Sequence, residues 1–143
     1  MGLSELQVGE FLAVLGERTP APASGAATAL TAAIAAALVE LAARFAEDET
    51  TVVRAKTLWA RLSELADEDS HAYSAFMADR NDETRARIVA VPEEIAACAD
   101  EIAGLAEHVR GQLRSSVAGD AEAAEELARA AARVARRLAE LNA

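Results

Sequence analysis

Between Gly25 and Val39 the chain carries no charge, and almost every residue in the run is small. Alanine dominates it, and alanine is the best helix former and a poor strand former, so the run reads as helix. A helix that is apolar nearly all round has no face to give to water, so it belongs at the centre of a bundle with other backbones packed close. The run falls short of the roughly 20 residues a membrane span needs, alanine adds little to insertion, and Glu40 and Arg44 interrupt it. The expectation is therefore a buried helix in a cytoplasmic protein with no membrane partner. Glu10 and Glu17 break the first apolar stretch, and no basic segment precedes it, so no targeting signal is expected.

At 143 residues the chain fits one domain over residues 1–143. Apolar residues make up 52% but aromatics only 3%, which again favours helices. Lys plus Arg number 14 against 24 Asp plus Glu, a formal charge of -10. That balance excludes a phosphate-tracking nucleic-acid binder, which needs a basic stripe. Cys98 is alone, which excludes an internal disulfide or a multi-cysteine metal site, and two distant histidines leave little for a histidine-rich one. No metal is expected.

Six helical segments can be read along the chain. The first runs from about Ser4 to Leu15, with Ser4 as N-cap and Gly16 as stop. Two prolines keep residues 17–24 out of helix. The small-residue helix follows, to about Ala46. A third runs from about Thr50 to Asp79, with a seam of Leu58, Leu62, Leu65, Asp69, Ala72 and Phe76 at alternating steps of four and three. A short fourth spans Glu83 to Ala90. Pro92 opens a fifth, with Ile95, Cys98, Ile102, Leu105, Val109 and Leu113 inward. Asp120 reads as N-cap of the last, which presents Leu127, Ala131, Val134, Leu138 and Leu141 on one face. The fold class is all-α, an antiparallel bundle around a central small-residue helix.

Asp69 is the most informative residue for chemistry. A carboxylate on an inward seam is costly to ionise unless paired or hydrogen-bonded, so it reads either as a general acid/base or as a structural tie between helices. Asp67 and His71 share another face at i, i+4, where a solvated pair is favoured over a two-ligand metal site. The stiff segment Thr19 to Gly25, TPAPASG, feeds a helix N-terminus whose free N–H groups could hold a carbonyl or an anion, or it is a plain connector capped by Ser24. Cys98 reads as an inert seam thiol, and His108 has no evident partner.

The order TPAPASGAATAL, LSELADEDSHAYSAF, AVPEEIAACA resembles the formiminotransferase-cyclodeaminase C-terminal domain family, which includes methenyltetrahydrofolate cyclohydrolases. Its members read P-x-P-G-G-G-S-x-A-A at the loop, L-x-x-D-x-D-x-x-A-F on the long helix and a proline opening a later one. Pro20 and Pro22 match the loop prolines, Asp67 and Asp69 the paired acids, and Pro92 the later proline. Asp120 and Asn142 match a family aspartate and asparagine. The family's three glycines become Ala23, Ser24 and Gly25, its serine becomes Ala26, and an asparagine of the last helix becomes Leu138. The resemblance implies a homodimer with no tightly bound cofactor, a tetrahydrofolate derivative or another small imine or amidine as its small-molecule substrate, and Asp69 moving protons, at the folate nitrogens where folate is the substrate. It also implies a substrate-binding set of Pro20, Pro22, Ala23, Ser24, Gly25 and Asp120. Glycine at positions 23 and 24 would permit positive φ and closer backbone approach. The alternative is a non-catalytic helical dimer, a binding or accessory subunit that keeps the scaffold.

Overall fold

The alanine run does become the centre. In the computed structural model, which describes residues 1–143 apart from the side chain of Ser115, helix α2 (Ser24–Phe45) packs on three long helices. These are α3 (Glu49–Ala78), α4 (Asp82–Arg110) and α5 (Ser115–Asn142). A 3₁₀ turn (Leu3–Glu5) and a short helix, α1 (Val8–Leu15), precede them. The connections between α2, α3, α4 and α5 are only three or four residues long, and such links make successive helices antiparallel neighbours. Fully buried Ala26, Ala29, Ala32, Ala35 and Ala36 on α2 meet Leu62 and Leu65 of α3 and Ile95 and Ile102 of α4 in one core. With a methyl as the whole side chain, α2 admits its neighbours' larger side chains without gaps. α2 is long and apolar enough to cross a membrane by length and composition, yet half of it is buried against these helices.

The boundaries differ from the sequence reading at four places. The first segment is split, because the 3₁₀ turn ends at Glu5 and α1 starts at Val8 with Gln7 as N-cap rather than Ser4. Ser24 is the first residue of α2, not its cap; Ala23 holds the cap position and gives no side-chain hydrogen bond. α5 starts at Ser115 with Arg114 as N-cap, so Asp120 lies inside the helix. The inward face of α5 is also different. Ala121, Ala124, Ala128, Ala131, Ala132, Ala135 and Ala139 are buried, whereas Leu127, Val134 and Leu141 are 37%, 43% and 61% exposed. Close approach to the alanine face of α2 selects the alanines of α5, and its larger side chains are turned outward.

The most instructive difference is at Pro92. Instead of a break, α4 runs unbroken from Asp82 to Arg110 with Pro92 inside it and buried. Proline has no N–H, so the carbonyl four residues back loses its helical partner. That carbonyl belongs to Ile88, and Asn142 near the end of α5 donates its side-chain Nδ2–H to it at 2.7 Å. The helix survives because a residue 54 positions away fills the vacated hydrogen bond.

This sets up a direct measurement. Asn142→Ala should cost about 1–3 kcal/mol in urea unfolding, the scale for leaving a buried acceptor unpaired. In a Pro92→Ala background, residue 92 regains its N–H and can bond Ile88 itself, so the same change should cost much less. An undiminished cost in that background would show that Asn142 acts on something other than the Ile88 carbonyl.

Candidate functional site

One end of the bundle gathers the start of α2, the later half of α3, the start of α4 and the end of α5. A cavity of 240 Å³ lies there. Pro20, Ala21 and Ala23 of the connector form one side of it, and Ser24 and Gly25 of the first turn of α2 continue that wall. Asp69 and Tyr73 project from α3, and Ile88, Leu138 and Asn142 close the opposite side. The bond from Asn142 to Ile88 therefore fixes two of the cavity's own lining residues to each other.

Asp69 is the only acidic group lining the cavity, and it sits directly over Gly25. A Cβ placed on Gly25 would come well within 3.0 Å of all three carboxyl atoms of Asp69. Gly25 is therefore needed for space and not for its dihedrals, since it has no positive φ. Burial pushes the Asp69 carboxyl above the ordinary carboxylate range, because a poorly hydrated carboxylate is disfavoured relative to its neutral acid. No salt bridge offsets this among the described residues. A carboxyl open to a small cavity, its proton held more firmly by burial, is placed to give or take a proton.

Of the residues expected at the site, Pro20, Ala23, Ser24, Gly25 and Asp69 meet in this cavity. Pro22, joined to Ala21 by a cis peptide bond, is half-buried beside them without lining it. Asp120 is not brought in. It is exposed near the start of α5, while Leu138 lies eighteen residues on, roughly 27 Å along the helix at 1.5 Å per residue. With alanine and serine at positions 23 and 24 the loop holds no residue at positive φ. Ala23 has φ -143, and Glu47 is the only non-glycine at positive φ among the described residues.

Asp67 and His71 do not form a solvated pair. Asp67 Oδ1 accepts the Leu3 N–H at 2.9 Å, which pins the N-terminal turn to α3, and His71 is left exposed. Cys98 is half-buried, and burial pushes its thiol up, leaving it less nucleophilic. His108 does have a partner, Asp48 Oδ2 at 3.4 Å. Among the described residues no cluster of three His, Cys, Asp or Glu could hold a metal ion.

Five lining residues lay outside the expected site set: Ala21, Tyr73, Ile88, Leu138 and Asn142. Tyr73 follows Asp69 by four positions, so the i, i+4 rule already put it on the same face. Ile88 precedes Pro92 by four, the position whose carbonyl a helical proline vacates. Asn142 was marked only by its match to a family asparagine, and its contact with Ile88 comes from α5 meeting α4. A larger groove of 570 Å³ runs between α1 and the outer face of α2, past Leu12, Leu30, Ile34 and Trp59. No ionisable side chain lines it, so it offers no group for acid–base chemistry.

The sequence pattern of the formiminotransferase-cyclodeaminase family matches residues 7–143. The fold is that of a formiminotetrahydrofolate cyclodeaminase from Thermotoga maritima, whose crystal structure superposes with a TM-score of 0.92 at 23% identity. The match covers 98% of this chain and 79% of that one. No curated protein matches the chain. With the pattern running from α1 through the end of α5 and the fold in agreement, the chain belongs to the formiminotransferase-cyclodeaminase family.

Proposed function

We propose that this protein makes or breaks a carbon–nitrogen bond on a one-carbon derivative of tetrahydrofolate, with Asp69 moving the proton. The observation that carries the reading is the position of Asp69, the single acidic group lining a small cavity, its carboxyl raised by burial. Family membership supplies the substrate class. In the cyclodeaminase direction, N10 of a 5-formimino derivative already protonated on its imino nitrogen attacks the formimino carbon and closes the ring. Asp69 takes the proton from N10 and delivers it to the amino nitrogen on the same carbon. The C–N bond then breaks with its electron pair leaving as ammonia, and the methenyl cation remains. In the cyclohydrolase direction, water adds to the methenyl carbon and Asp69 returns the water's proton to the departing ring nitrogen. The hydroxyl proton is released as the formyl carbonyl forms. Folate is the substrate throughout, and no tightly bound cofactor takes part.

The methenyl product has its own near-ultraviolet absorbance, so both directions can be followed directly. The reading expects that absorbance to grow from the formimino compound or to decay in water with catalyst present. Binding of either compound without turnover would give the protein to the alternative reading, a non-catalytic subunit that keeps the scaffold.

The protein is also proposed to act as a homodimer in the cytoplasm. What supports pairing is α1, which has no buried residue although it reads VGEFLAVL, together with the apolar groove beside it. Val8, Leu12 and Ile34 are 76%, 58% and 58% exposed there. Sedimentation at micromolar concentration should give the mass of two chains, and Leu12→Glu with Ile34→Glu should give one chain with an unchanged far-ultraviolet spectrum. A one-chain mass for the unaltered protein would end the proposal.

A further inference from the structure

We propose that Arg80 and Arg85, gathered on Phe76 at the same end of the bundle as the cavity, form a subsite for the anionic tail of the substrate, a pair of carboxylates on a flexible end. The inference rests on the reading of the cavity as the place where the folate's reacting end binds. Their guanidinium carbons lie 5.2 and 5.4 Å from the centre of the Phe76 ring. Two cations held around one ring repel each other, and in a chain of charge -10 a carboxylate partner would be easy to find. Arg54, Arg61, Arg110, Arg129 and Arg136 all reach carboxylates on neighbouring helices. Neither Arg80 nor Arg85 does among the described residues, a property they share with Arg18, Arg87, Arg114 and Arg133, and what sets the two apart is that both lie over one ring. Stacking on the ring orients the two groups; Arg80 Nη2 donates to Met77 Sδ at 3.7 Å, and the remaining N–H groups of the pair can bond an anion.

Position gives the second argument. Phe76 lies seven residues beyond Asp69 on the same face of α3, about 10 Å along the helix. Arg85 lies one turn before Ile88, a lining residue, and Arg80 is in the short link between α3 and α4. The clamp and the cavity therefore share one end of the bundle. At 240 Å³ the cavity is below the roughly 300–1,000 Å³ that encloses a drug-sized ligand. A tetrahydrofolate carries its reacting nitrogens and its carboxylates on opposite sides of an aminobenzoyl ring. With the reacting end over Asp69, the rest must lie across the rim, and Phe76 with its two arginines is the cationic aromatic surface next along α3.

The test is calorimetric titration of the full chain and of Arg80→Gln/Arg85→Gln with three probes. These are 5-formyltetrahydrofolate, a tetrahydropterin without the tail, and 4-aminobenzoylglutamate, the tail without the pterin. The double change should weaken 5-formyltetrahydrofolate by about tenfold, the scale of losing a charge-assisted contact, and should leave the tetrahydropterin unaffected. Raising the salt should weaken the first probe and spare the second. Equal affinity of both proteins for 5-formyltetrahydrofolate overturns the subsite and leaves the folate reading intact. If both pterin compounds fail to bind while 4-aminobenzoylglutamate binds in an arginine-dependent way, the subsite stands and the folate reading falls. If no probe shows arginine-dependent binding, the subsite is overturned. Both residues are exposed, so an unchanged unfolding midpoint serves as the control for the double variant.

Discussion

Asp69→Asn should reduce turnover by about 10²–10⁴, the contribution typical of a positioned general acid or base, and should at the same time make the protein more resistant to heat at neutral pH. The two effects have one cause. Burial raises the Asp69 carboxyl above its ordinary range, so the folded protein holds that proton more tightly than the unfolded chain does. Stability therefore falls as pH rises through the window between the ordinary carboxylate value and the raised one, and stays reduced above it. The amide never ionises and escapes that cost. The melting temperature of the variant should exceed that of the parent at pH 7, and the two should converge below the ordinary carboxylate range. In the parent, the acid limb of the pH–rate profile should lie above that range for the same reason. Unaltered turnover in Asp69→Asn would remove the proton-moving role and leave the carboxyl as a helix tie. A variant less stable at pH 7 would contradict the desolvation account.

What could be read in advance follows the distance over which each feature is determined. The alanine run between Gly25 and Val39 settles the centre of the bundle locally, since nothing else in the chain can be apolar all round. The seam through Leu58, Leu62, Leu65 and Ala72 is likewise a property of one helix, and all four are buried. Asp69 inherits its inward direction from that seam. The misreadings need two helices to be understood. Pro92 alone reads as a helix start, and only α5, by bringing Asn142 to Ile88, turns it into an interior residue. On α5 the branched and long side chains look like the core, but the neighbour they would meet is α2. Its small residues leave room for backbone approach, so the alanines of α5 go inward instead. Asp120 looks like a cap because five residues ahead of it read as a turn, whereas α5 starts at Ser115 and carries it as an exposed helical residue. Gly25 was visible as a loop glycine, but the reason for it was not. The requirement is the Asp69 side chain, which arrives from 44 residues further along the chain to occupy the volume a Cβ would take.

That juxtaposition leads to the other large effect. Gly25→Ala should cut turnover by 10² or more, comparable to losing Asp69 itself, although alanine is intrinsically the better helix former. The added methyl would overlap the carboxyl oxygens and carbon of Asp69, and two rearrangements can relieve it. Either Asp69 swings to another rotamer and leaves the cavity, or the first turn of α2 backs away from α3. A 1 Å displacement of a catalytic group is enough for a loss of about 10². The second route also opens the packing of Ala26 and Ala29 against α3, and overpacking of that kind costs about 1–3 kcal/mol. The two routes separate in a double variant. If the carboxyl is what moves, Asp69→Ala in the Gly25→Ala background frees the space, restores the unfolding midpoint and leaves activity absent. If α2 shifts as a body, because the new methyl still meets other atoms of α3, the midpoint stays low in both backgrounds. A Gly25→Ala protein with full turnover and an unchanged midpoint would show that Asp69 does not stand over Gly25 in solution, and the proposed acid–base group would have to be sought on another face of α3.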